Sequence, residues 1–149
     1  MNIRLAQQTD LDSILQVIET AVSDEENKVI TNLVQELHQE TTSPSIKSLV
    51  AEVDNQVIGY VSYSPIFLKS DSSISGYILA PLAVAPKHQK KGIGSNLIKS
   101  GIDMLTENGF GIVLVYGDLI TTDGLVSRNR LDALSCHHTH CSIHSVGQV

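Results

Sequence analysis

The chain has 149 residues, enough for one domain with a sizeable core, and its 42% hydrophobic and 17% charged residues exclude general disorder. A formal net charge of −6 argues against a binder of nucleic acid or of an anionic membrane, because both need a basic surface. No apolar run reaches the length of a membrane span and the opening MNIRLAQQTD lacks a signal-peptide core, so the expected compartment is the cytoplasm, with Cys136 and Cys141 reduced.

Ile3 and Leu5 alternate with Asn2 and Arg4, which predicts a short first strand. Leu11, Ile14, Leu15, Ile18 and Ala21 then form one helical stripe, with Thr9 or Asp10 as the expected N-cap. Val29, Ile30, Leu33, Val34 and Leu37 mark a second helix. Its acidic start, Asp24, Glu25 and Glu26, suits the positive end of a helix dipole and reads as a solvated first turn. TTSP at 41–44 is a loop. SLVAEVDNQVIGYVSYSP predicts a β-hairpin turning at Asp54-Asn55, with Leu49, Ala51 and Val53 alternating on its first arm.

SDSS at 70–73 is expected to break the chain again before a long apolar strand over 75–86. That strand carries Pro81, which removes a ladder donor and predicts a bulge or local splay. Ile93, Leu97, Ile98, Ile102 and Leu105 define a helix ending at Asn108-Gly109. GIVLVYG at 111–117 reads as a strand buried on both faces, so that 76–116 forms one βαβ unit.

Between that strand and helix lies QKKGIG, Gln89 to Gly94. Gly92 and Gly94 let backbone N–H groups converge at the opening of a helix, where the partial positive charge suits a phosphate. Lys87, Lys90 and Lys91, three of seven lysines, concentrate there in an otherwise acidic chain. A bare G-x-G would be only a glycine turn, but the strand before, the helix after and the local charge reversal together favour an anion site. It is neither a Walker A loop, for want of G-K-[ST], nor a dinucleotide fingerprint, for want of a third glycine.

QKKGIG does resemble the signature (Q/R)-x-x-G-x-(G/A) of the GNAT acyltransferase superfamily, matched by Gln89, Gly92 and Gly94. The likeness extends over LAVAPKHQKKGIGSNLI, residues 82–98, and the order of elements is similar from residue 1 to 118. The resemblance implies an α/β GNAT fold: a mixed, mostly antiparallel central sheet flanked by helices. It also implies acetyl-CoA as donor and no metal. The cofactor-binding loop would run from the signature residue Gln89, with the backbone N–H groups of Lys90, Lys91, Gly92, Ile93, Gly94 and Ser95 holding the pyrophosphate, while Leu82, Ala83 and Val84 would pair with the pantetheine arm. An amine acceptor, of unknown identity, would attack the thioester directly, with a strand amide steadying the oxyanion and an acid, often tyrosine, protonating the leaving thiolate.

The family pattern stops after VLVYGD. Related bacterial acetyltransferases continue with a segment like D-P-x-Y-Y-x-R-F-G-F and close with one like P-L-x-Y-P-F-G-W, whereas here no aromatic residue follows Tyr116. Residues 119–127, LITTDGLVS, have synonymous codons which, read from the third base, spell N-Y-Y-G-R-F-G-F; residues 139–147, THCSIHSVG, likewise spell P-L-Q-Y-P-F-G-W. A single base lost near the codons for Asp118 and Leu119 accounts for both. The expectation is a GNAT core at 1–118 followed by an out-of-frame tail at 119–149 that lacks the family's last helix and last two strands. The open sheet edge left behind would invite a homodimer.

SCHHTHCSIH, residues 135–144, holds both cysteines and four of six histidines. Thiolate and imidazole suit zinc, but six consecutive residues wrap one tetrahedral ion poorly and no second ligand pair lies at a distance. No residue is assigned as catalytic acid or base. Tyr77 and Tyr116 read as packing residues, Tyr60 and Tyr63 as hairpin surface or core, His38 as a solvated or capping residue, and Glu26 as a remote candidate near an acceptor amine. A non-catalytic acyl-CoA-binding domain is the alternative on the same fold.

Overall fold

The computed structural model describes residues 1–42, 44–68, 71–110, 112–115, 119–120, 126–127, 130–137 and 140–148. A short strand β1 (Asn2–Leu5) leads into helices α1 (Leu11–Ala21) and α2 (Asp24–Gln39). The strands β2 (Lys47–Val53), β3 (Gln56–Leu68) and β4 (Asp71–Val84) follow, then helix α3 (Ile93–Glu107) and strand β5 (Ile112–Val115). Beyond these lie β6 (Leu119–Ile120), β7 (Val126–Ser127), β8 (Arg130–His137) and β9 (His140–Gln148). The main sheet has the order β1-β2-β3-β4-β5-β8-β9, all antiparallel except the β4–β5 pair that α3 bridges. This is the mixed α/β architecture expected from the sequence.

Strand alternation sorts the core into two layers. Leu49, Ala51, Val61, Tyr63, Tyr77 and Leu79 pack with Ile93, Leu97, Ile98, Ile102 and Leu105 of α3. The intervening Val50, Tyr60 and Ala83 pack on the other face with Ile14, Val17 and Ile18 of α1 and Val34 of α2. The α3 layer depends on one close approach: a Cβ at Gly101 would lie 2.2 Å from the Tyr63 ring. The glycine lets the hydroxyl end of that ring approach the helix, where the Tyr63 hydroxyl donates to the Ile98 carbonyl at 3.0 Å.

Asp54 and Asn55 both take positive φ, 50° and 62°, as a two-residue hairpin turn between paired Val53 and Gln56 requires. Asp10 stands at the α1 N-cap position, but its carboxylate does not cap the helix. Instead it accepts from the Gln7 N–H at 2.7 Å and from both Arg4 terminal nitrogens, at 2.7 and 3.0 Å, while Arg4 Nε donates to Glu52 at 2.7 Å. A guanidinium fork outcompetes a single amide for a carboxylate, which is why the cap expected from local sequence is lost.

Two boundaries also differ from the sequence reading. The break at 70–73 is shorter than expected, because β4 already begins at Asp71 and pairs there with Leu68; residues 69 and 70 lie outside the described residues. At its other end the strand stops at Val84, and Pro86–His88 form a 3-10 turn whose fixed proline φ suits a first helical position. Pro81 falls in a bulge: Val61 faces Leu82 and Tyr63 faces Leu79, so Ala80 and Pro81 together oppose Ser62 alone.

The edge beside β5 is not open. β8 pairs along it, from Ile112↔Ser135 to Val115↔Asp132, and β9 pairs with β8. Backbone pairing at a sheet edge needs no particular side chains, so a segment without the family's aromatic pattern can still satisfy it. No helix follows α3 among the described residues.

Candidate functional site

The site forms where β4 ends and α3 begins. Lys90 and Gly92 both take positive φ, 60° and 79°, and bend the loop just ahead of the helix. Glycine meets the second of these at no steric cost. The first intrahelical bond of α3 runs from the Asn96 N–H to the Gly92 carbonyl at 3.0 Å. Among the described residues, none of the N–H groups from Lys90 to Ser95 donates to a backbone carbonyl. They form a continuous row of donors at the positive end of a fifteen-residue helix.

Three further observations fit an anionic ligand there. Ser95 Oγ is buried and has no hydrogen-bond partner among the described residues. Lys87, Lys90 and Lys91 are exposed, and no described carboxylate lies within ion-pair distance of them. At Gly94 a Cβ would meet only Leu82 and Val84 side chains, at 3.8 and 3.9 Å, which is ordinary contact. The fold therefore does not demand glycine at 94, and its bareness leaves room above the helix for a bulky group.

The approach to this row is the second half of β4. The Ala85 N–H donates to the Ile58 carbonyl at 2.8 Å, and the register continues through Val84↔Gly59, Ala83↔Tyr60 and Leu82↔Val61. Antiparallel pairs alternate between bonded and non-bonded, so Ala83 turns its N–H and C=O toward β3 while Leu82 and Val84 turn theirs away. Pairing between β4 and β5 runs only from Tyr77↔Val113 to Leu79↔Val115. Among the described residues, no strand pairs with Leu82 or Val84 on that outward side. One of the outward groups is occupied from within the loop: the Gln89 side-chain amide donates to the Val84 carbonyl at 2.9 Å.

The ten residues singled out from the sequence thus meet at one corner, but they present different groups. Lys90 to Ser95 contribute main-chain N–H groups, and Leu82 and Val84 contribute an open strand edge. Ala83 is buried and bonded to the neighbouring strand, and the Ile93 side chain lies in the core. Gln89 directs its side chain at β4 rather than outward.

The tyrosines on the described strands are engaged elsewhere. Tyr77 donates to the Ser45 carbonyl at 2.9 Å and stacks edge-on against Phe110, 4.9 Å between centroids. Tyr60 lies 3.3 Å from Ser48 Oγ, which in turn lies 3.1 Å from Ser62 Oγ. Burial pushes the Tyr60, Tyr63 and Tyr77 hydroxyls above the ordinary tyrosine range. His38 sits near the end of α2, 3.5 Å from the Gln7 carbonyl, and Glu26 is exposed in the first turn of α2. Tyr116 lies outside the described residues, as do the side chains of Cys136, His137, His140 and Cys141 and the whole of His138. The described residues hold no metal-binding cluster of histidine, cysteine and carboxylate, and no helix among them is long and apolar enough to cross a membrane.

A strand edge leading to an N–H-lined helix start, beside a bulged strand, is an arrangement with known counterparts. The model of the acetyltransferase (GNAT) family matches residues 12–120, and the chain belongs to that family. It is 29% identical over 119 residues to the N-acetyltransferase YhbS of Escherichia coli K12, covering 80% of this chain and 65% of that protein. The chain thus spans just under two thirds of that curated relative. Among solved structures it resembles a GNAT family acetyltransferase from Brucella melitensis in complex with acetyl-CoA. The TM-score is 0.69 at 27% identity, over 95% of this chain and 93% of that one. It also resembles E. coli YhbS in complex with CoA, with a TM-score of 0.64 at 32% identity, over 78% of this chain and 62% of that one.

Proposed function

We propose that this chain is the core of an acetyl-CoA-dependent N-acetyltransferase that moves the acetyl group to an amine by direct attack. The observation that carries the reading is a pair of neighbouring sets of groups that are unpaired among the described residues: the N–H row from Lys90 to Ser95, and the outward edge at Leu82 and Val84. A ligand with a diphosphate at one end and an amide-bearing arm at the other fits that pair of features. The family membership and the acetyl-CoA and CoA complexes of similar proteins support it.

Bound acetyl-CoA would supply an activated thioester. The N–H groups from Lys90 to Ser95 would neutralise its diphosphate, with Lys87, Lys90 and Lys91 adding long-range attraction. An arm leaving that site along β4 runs from Val84 past Leu82 toward the Ala80–Pro81 bulge, so the Leu82 N–H is the donor nearest the reacting carbonyl. A fixed donor there would favour the charge that develops on the carbonyl oxygen as the amine attacks. No side-chain nucleophile is needed.

Titration calorimetry of the full chain at neutral pH should show acetyl-CoA binding, and an amine screen should identify the acceptor. An intact fold that takes no acetyl-CoA would overturn the assignment of Gln89–Ser95. We further propose that residues 119–149 are an out-of-frame translation, which would remove a family acid tyrosine and impair turnover. Coding DNA that does not spell the two family segments in the shifted frame would refute this. One observation favours a second reading, a non-catalytic acyl-CoA-binding domain: Tyr63 and Tyr77 donate to carbonyls and Tyr60 is paired with Ser48, so none of them is free to protonate a thiolate. Cofactor binding without acetyl transfer, even with the frame restored, would establish it.

A further inference from the structure

The bond from the Gln89 side chain to the Val84 carbonyl closes one position on an edge that is otherwise unpaired among the described residues. Along β4, starting from the phosphate-binding end, the outward groups are the Val84 C=O, the Val84 N–H, the Leu82 C=O and the Leu82 N–H. With the first occupied, an extended ligand leaving the loop meets a donor, then an acceptor, then a donor. Without Gln89 it would meet an additional acceptor first. An arm carrying amides could then pair in a second register, displaced by one two-residue repeat, roughly 6.6 Å along the strand.

We infer that Gln89 is a positioning residue that fixes the register of the acyl-carrying arm on β4 by holding the Val84 carbonyl. The inference rests on the acetyl-CoA reading above and assigns the signature glutamine a task separate from holding phosphate. The geometry agrees with this separation: the Gln89 amide nitrogen points back to the strand, and the phosphate-side donors begin at the Lys90 N–H. Glutamine suits the task because it is neutral, reaches five residues back along the chain and offers an N–H donor.

The test compares two ligands by calorimetry on the full chain. Acetyl-CoA carries both phosphates and arm; 3′-phospho-ADP carries the phosphates alone. For Gln89→Ala, acetyl-CoA affinity should fall about three- to tenfold, the size of one neutral hydrogen bond, while 3′-phospho-ADP affinity stays unchanged. Gln89→Glu, similar in shape but without a donor, should behave like the alanine variant, and Gln89→Arg, which keeps a donor, should recover acetyl-CoA binding. Thermal melting of each variant confirms that the fold is retained. Equal weakening of both ligands, or no weakening of either, would overturn the positioning role while leaving the acetyl-CoA reading intact. A wild-type chain that binds neither ligand would overturn both.

Discussion

The two halves of β4 are treated in opposite ways by the same fold. From Tyr77 to Leu79 the strand is bonded to β3 on one side and β5 on the other, and the Tyr77 and Leu79 side chains are fully buried. From Leu82 to Val84 it keeps β3 and, among the described residues, has no strand on its outward side. The bulge at Ala80–Pro81 separates them. A strand interior normally satisfies every backbone group, because an unpaired one costs free energy. Here the first half supplies stability, and the second, among the described residues, is left unpaired on its outward side, where the proposed ligand would complete it. The lesson is that one strand can be doubly paired in one half and singly paired, among the described residues, in the other when a proline-bearing bulge divides it.

That division can be broken from either side. The largest effect is expected at the closed half, where Tyr63 pairs with Leu79 and its ring lies on Gly101. Gly101→Val should destabilise the protein by about 3 kcal/mol, read from urea unfolding, because nothing behind the Tyr63 ring can yield without shifting β3. A loss below about 1 kcal/mol would mean the ring is not seated on the helix.

At the open half, Gly94→Leu should do the reverse. Its Cβ is tolerated, and leucine is a good helix former, so unfolding should change little. The extended side chain would cover the edge at Leu82 and Val84, and acetyl-CoA affinity should fall about a hundredfold in titration calorimetry. Unchanged affinity would place the ligand elsewhere.

A smaller effect, distant from both halves, sharpens the contrast. Arg4 holds the Asp10 carboxyl below its usual pKa, chiefly through its hydrogen bonds, against an opposing cost of burial. A depressed folded pKa contributes stability that is present above the unfolded carboxylate value and lost as pH falls through the folded one. Asp10→Asn should therefore cost about 1.5 kcal/mol at pH 7, and the gap from wild type should close in acid, as pH falls through the lowered folded-state pKa. Acetyl-CoA affinity at neutral pH should be unaffected. A gap that stays constant down to acid would remove the ion pair as its cause.

Much of this organisation is legible in the residues themselves. The apolar periodicities of α1, α2 and α3, the Asp54-Asn55 turn and the bulge at Pro81 follow from local backbone preference, which a sequence carries directly. The glycine-lysine loop is legible for the same reason: Gly92, Gly94 and the three lysines lie within eight residues of one another. Other features depend on register between distant segments. The Asp10 carboxylate turned from its helix to Arg4 and Gln7, because strand β1 brings a guanidinium within reach. Tyr63 gave no sign that it needs Gly101, since the two meet only when α3 is laid across β3.

The sequence by itself determined the element order as far as β5, the βαβ unit and the glycine-lysine loop that the family signature marks, because each is encoded within a few residues or one helical turn. Only the tertiary structure decided which groups of β4 are unpaired among the described residues: Leu82 and Val84 face outward, Ala83 is spent on β3, and the Val84 carbonyl is closed by Gln89. Availability of a backbone group is a matter of which strand lies beside it and in which register. That depends on hydrogen-bond alternation between strands, which no single stretch of residues specifies.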